Sequence, residues 1–434
     1  MSLQRALVPA LISLTTLAIG TIPTPAMGQT NAELDRKIEI LSKEIENLKL
    51  GDSAARADRN QYGLGPAASK VYRNKEGVSL GGYGELIFRN PMAAKDDGTP
   101  SGEYNTGDTQ RVIAYLGYKF SDRIVLNSEI EFEHARTETG PGGQVGAVAV
   151  EFTYMDFFIN PGFNLRAGNV LMPVGLINEL HEPTVFLGVA RPEVERKIIP
   201  ATWNEFGVGV FGDVGNFSYR SYVTTALDAQ GFDAADGVRD GRQGASEAVF
   251  ERPAWVGRLD YTGVAGLLVG ASHYRTNAAQ GVVQLGTLNL AMTEAHLDLK
   301  WNSWDIRSVY AMSTLGGTDV YNLATGNTGT AGLGSKQYGY YFQLGYNLRT
   351  LLNSVPGLNK AAGLTPFVRY ERLDTQAAVA ANATRDPAND RQILTLGFQV
   401  KPIEQVVFTV DYQDWKNQAG TGINVMNMGL GWVF

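Results

Sequence analysis

The chain has 434 residues, with 37 basic against 44 acidic side chains, a formal net charge of −7, 50 glycines, four histidines and no cysteine. That balance argues against a strongly basic nucleic-acid binder, and the absent cysteines exclude a disulfide framework, thiolate metal sites and a cysteine nucleophile. The glycine content and 10% aromatic residues favour a large all-β body, and alternating strands would hide a membrane barrel from average hydropathy.

In chain order the first element is an export signal over 1–28: Arg5, an apolar stretch from Ala6 to Gly20, then small residues ending at Ala26-Met27-Gly28. The apolar stretch is shorter than the roughly 20 residues of a spanning helix. Over 29–50, Leu34, Ile38, Leu41, Ile45 and Leu48 recur at spacings of four and three, which predicts a short α-helical coiled coil for oligomerisation. One amphipathic helix packed on its own chain is the other reading. Residues 51–77 read as a linker; Gly63-Leu64-Gly65-Pro66 within it lacks the setting of a phosphate loop.

From 78 to 434 the sequence divides into sixteen period-two segments of roughly ten residues. They start near Val78, Thr109, Arg123, Gly146, Phe163, Glu205, Gly215, Pro253, Ala265, Ala291, Trp304, Ser335, Leu364, Asp390, Gln405 and Ile423. Tyr338, Tyr340, Phe342, Leu344 and Tyr346 fall on one face, opposed by Gln337, Gly339, Gln343 and Gly345. Short joins such as Ser121-Asp122 and Asn302-Ser303 alternate with long polar segments, among them 137–145, 171–204 and 227–252. Only the join at 350–363 is longer than this rule allows. An even strand number, one apolar face, and turns and loops at opposite rims predict a 16-stranded antiparallel transmembrane β-barrel. The last segment ends on Trp432-Val433-Phe434 and resembles the carboxy-terminal assembly signal of bacterial outer-membrane barrels.

Asn164 to Glu179, Val194-Glu195-Arg196-Lys197, Gly207 to Asp213, Gly257 to Tyr261 and Pro366 to Asp374 occur in an order that resembles the phosphate-selective porin O/P family. The resemblance implies a homotrimer of diffusion channels whose third long loop folds inward. Outer-membrane lipid and lipopolysaccharide would surround it, and the amino-terminal helix offers a second role as a tether to the cell wall. The chain departs from the family at Pro200-Ala201-Thr202-Trp203, where an arginine often follows the proline; this weighs against anion selectivity.

Alternation predicts pore-lining cations Arg111, Lys119, Arg166, Arg220, Arg258, Lys300, Arg307, Arg369 and Arg391. The matching anions are Glu85, Glu129, Glu131, Glu133, Glu151, Asp260, Glu294, Asp298, Asp305 and Glu371. The constriction loop adds Glu179, Glu182, Glu193 and Glu195 against Arg191, Arg196 and Lys197. The two signs nearly balance, and Glu129, Glu131 and Glu133 are expected to face water as a row. The expected function is a weakly cation-preferring or unselective channel for small hydrophilic solutes, with an anion- or phosphate-selective porin and a structural tether as alternatives. No cofactor, catalytic or metal site is predicted: His134, His181, His273 and His296 are scattered, and Asp228, Asp233, Asp236 and Asp240 read as a solvated loop.

Overall fold

The computed structural model describes residues 62–140, 143, 145–349 and 363–434. The predicted export signal, the heptad segment with Leu34, Ile38, Leu41, Ile45 and Leu48, and the start of the linker lie outside the described residues.

Sixteen strands follow one another: β1 (Gly77–Pro91), β2 (Thr106–Ser121), β3 (Ile124–Glu133), β4 (Ala147–Asn160), β5 (Phe163–Leu171), β6 (Asn204–Val214), β7 (Phe217–Thr224) and β8 (Ala254–Tyr261). The second half comprises β9 (Leu267–Asn277), β10 (Asn289–Trp301), β11 (Trp304–Gly316), β12 (Gly334–Tyr346), β13 (Gly363–Val379), β14 (Asp390–Ile403), β15 (Val406–Asn417) and β16 (Val425–Val433). Each predicted segment start falls within three residues of an observed one. Each strand pairs antiparallel with its sequence neighbours, and β16 returns to β1 from Tyr83 opposite Val433 to Pro91 opposite Val425, so the sheet closes without an edge. Closure satisfies every ladder group internally, which a sheet in lipid requires.

Period two places the apolar set outside. On β12, Phe342 is 49% exposed whereas its neighbour Gln343 is 2% exposed. Val78, Leu116, Phe206, Leu259 and Leu396 are likewise large apolar side chains on the outer surface, an inside-out arrangement that suits hydrocarbon. Phe163, Phe217, Trp301 and Trp304 stand exposed beside the short-turn rim, where aromatic rings suit the membrane interface. At the opposite rim lie the long loops, including 172–203 and 225–253. The join between β12 and β13 falls mostly outside the described residues.

Residues 62–73, expected as the end of a linker, instead pack inside the barrel. Leu64, Ala67, Ala68 and Val71 are buried, and α1 (Lys70–Arg73) ends the segment. Asn127 donates to the Ala68 carbonyl at 2.9 Å and the Tyr72 hydroxyl donates to Asp156 at 2.8 Å. A side chain at Gly117 would stand 2.6 Å from Val71, so this strand position must stay bare for the segment to seat.

Candidate pore and constriction

The third long loop (172–203) folds into the barrel, and all but four of its residues are buried. Its backbone is held from many sides, which satisfies polar groups that burial would otherwise leave unpaired. Arg258 of β8 donates to the Gly175 carbonyl. Gln399 of β14 donates to Phe186 at 2.9 Å, and Arg369 of β13 to Leu187 at 3.0 Å. Val189 N–H donates to Asp411 of β15 at 2.6 Å, and Val194 N–H to Glu371 at 3.2 Å. A Cβ at Gly431 of β16 would stand 2.6 Å from Pro183. The loop therefore crosses the lumen.

Glu195 fastens the loop to itself and to the wall. Its carboxylate accepts from Leu176 N–H at 2.9 Å, Ile177 N–H at 2.6 Å and the Tyr341 hydroxyl at 2.7 Å. Glu182 accepts from Ala67 N–H at 2.9 Å and Ala68 N–H at 3.0 Å, tying the loop to the inner segment. Burial pushes the Glu182 carboxyl up to about 7 and raises those of Glu179 and Glu195 as well.

Most of the wall charges expected to line the pore are buried in pairs. Arg111 lies 3.0 Å from Glu85, Arg307 3.0 Å from Asp298, Arg369 2.8 Å from Glu371, and Lys300 3.7 Å from Asp305. Arg220 and Arg258 share Asp260 at 3.2 and 2.9 Å, and both also meet Glu179 of the loop, at 3.2 and 3.3 Å. Arg166 grips Asp156 with two bonds of 2.7 and 2.9 Å and stacks 4.0 Å over the Tyr154 ring. Such fork geometry is the strong form of the pair.

The glutamate row departs from expectation. Glu129 is fully buried under the loop, with both oxygens 3.1 Å from His181 Nε2; Glu131 lies 3.7 Å from Arg111, and Glu133 alone of the three is partly exposed. The reason is the loop, whose path over the wall a strand pattern does not encode.

Above the loop, towards the long-loop rim, lies a chamber of about 1270 Å³. Eight cations line it, Arg89, Arg111, Arg191, Arg196, Lys197, Arg239, Arg242 and Arg391, against five anions, Glu85, Glu131, Glu133, Glu151 and Glu193. Arg239 and Arg242 come from loop 225–253 and were missed in the sequence. Arg239 donates to the Ala201 carbonyl at 2.7 Å and Arg242 to that of Thr202 at 2.6 Å. The arginines thus reach in space the stretch after Pro200 where the sequence lacks one. Burial lowers Arg239 to about 10, with Arg242 and Arg196 adding repulsion, so it stays cationic at neutral pH. Glu193 pairs with Arg196, and Lys197 with Asp236.

Over 381 residues, which cover 86% of this chain and 83% of the relative, the sequence is 37% identical to an uncharacterized protein of Aquifex aeolicus (strain VF5). The chain belongs to that protein's family. No family model matches it. In fold it is similar to OmpF of Salmonella typhi, solved with daunomycin, at a TM-score of 0.53 and 10% identity over 83% of this chain and 98% of that one. It is also similar to an anion-selective porin from Comamonas acidovorans, at 0.50 and 13% over 83% of this chain and 100% of that one. The fold is that of outer-membrane porins.

Proposed function

We propose that the protein is a passive diffusion channel of the bacterial outer membrane, that small hydrophilic solutes pass through a passage narrowed by the third long loop, and that it prefers anions. The observation that carries the selectivity is the chamber lining, where cations outnumber anions although the wall charges further down are mutually paired. Selectivity follows from the charges a solute meets at close range, not from the chain total. This reverses the weak cation preference expected from sequence, because Glu129 lies covered while Arg191, Arg239 and Arg242 line the open space. A homotrimer embedded in lipid and lipopolysaccharide is part of the same proposal.

Arg239 and Arg242 donate to backbone carbonyls and keep further N–H groups for a solute. The double variant Arg239→Gln/Arg242→Gln should shift the reversal potential under a potassium chloride gradient towards potassium, while wild type favours chloride. An unchanged potential in the variant would remove these arginines from the filter, and a potassium-preferring wild type would overturn the anion reading.

A further inference from the structure

Glu151 sits at a β-bulge. Glu129 of β3 faces Phe152 of β4 and Ile130 faces Val150, so Glu151 has no cross-strand partner. A bulge turns two successive side chains to one side, and here both Glu151 and Phe152 point inward. The extra residue brings the Glu151 carboxylate beside Glu129 and under His181 of the loop. His181 Nε2 lies 3.1 Å from each Glu129 oxygen and 3.6 Å from Glu151 Oε2. All three residues are at least nine-tenths buried, and Glu151 Oε2 has no hydrogen-bond partner.

The other ring nitrogen fixes the roles. Nδ1 is 2.9 Å from the Asn178 carbonyl, which can only accept, so Nδ1 carries the proton. In the neutral ring Nε2 then presents a lone pair to two carboxylates, an arrangement of acceptors into which a cation fits. A histidine whose remote N–H is held by a carbonyl is oriented as metal ligands are.

We propose that Glu129, Glu151 and His181 form a binding site for a divalent transition-metal ion, reached from the chamber. Metal–ligand bonds of about 2.1 Å at tetrahedral angles put ligand atoms about 3.4 Å apart, between the separations observed. One imidazole with two carboxylates suits zinc, manganese or ferrous iron better than it suits calcium, which prefers six or more oxygens. Glu151 lines the chamber, which gives the ion an entry and a fourth, open position. The bound ion would join β3 and β4 to the third loop. A second acidic group, Asp233, Asp236 and Asp240, is partly exposed, with Asp236 engaged by Lys197, and it serves as the control.

The test uses the full-length mature protein, free of tags, stripped with chelator in detergent and titrated with zinc chloride by calorimetry, with metal content read by mass spectrometry. One zinc per chain is expected. His181→Gln and Glu151→Gln should each weaken it by about tenfold or more, whereas Asp236→Asn should not. Heat-modified gel mobility reports whether each barrel is folded; should His181→Gln misfold, Glu151→Gln decides, because Oε2 has no hydrogen bond to lose. Failure of the folded wild type to retain zinc would overturn the proposal, leaving a cluster that holds only a proton. Uptake unchanged by Glu151→Gln, or abolished by Asp236→Asn, would overturn it equally.

Discussion

Single-channel conductance should rise severalfold when Glu195 is replaced by alanine. This fully buried carboxylate accepts two backbone N–H groups at the start of the third loop and the Tyr341 hydroxyl of the wall, all within 2.9 Å. Alanine offers no acceptor, and three buried donors are left unpaired at a cost of about 1–3 kcal/mol each. The cheaper outcome is for the loop to leave the wall and let water reach those donors. The barrel itself should remain closed, because its ladder bonds do not involve Glu195. Glu195→Gln keeps one carbonyl acceptor and should show a smaller rise. Identical conductance in wild type and Glu195→Ala would mean that other contacts alone hold the loop.

Asp260→Ala should destabilise the barrel by about 3–5 kcal/mol, the usual effect of stripping one partner from buried ion pairs. Asp260 is fully buried and stands between Arg220, Arg258 and His296, at 3.2, 2.9 and 3.0 Å. Without it Glu179 alone faces two guanidinium groups. Arg258 also donates to the Gly175 carbonyl, so the loop loses an anchor with the wall. Urea unfolding in lipid vesicles reads the change. A variant within about 0.5 kcal/mol of wild type, the range of an uninvolved surface site, would show that the cluster relaxes onto Glu179 without cost.

The strands were legible because lipid outside and polar lumen inside impose period two, and that pattern survives in single residues such as Phe342 and Gln343. Where the backbone departs from period two, the reading fails locally. Counting from Glu151 places Asp156 on the lipid face, yet the bulge at Glu151 reverses the parity and Asp156 is the buried partner of Arg166. Contacts made by loops were not legible, since Arg239, Arg242 and His181 meet their partners across more than 30 residues of sequence. Balanced charge lists concealed the chamber's excess for the same reason: pairing along the wall cancels one set of charges and leaves the loop arginines over.

The barrel is a closed cylinder that meets hydrocarbon outside and polar groups inside. Because the chain has no cysteine, single cysteines at 337 through 345 on β12 can each carry a nitroxide spin label without background. In lipid vesicles, labels at 338, 340, 342 and 344 should collide readily with dissolved oxygen, and those at 337, 339, 341, 343 and 345 should not. Equal oxygen access at both parities, in protein shown to be folded, would contradict the account.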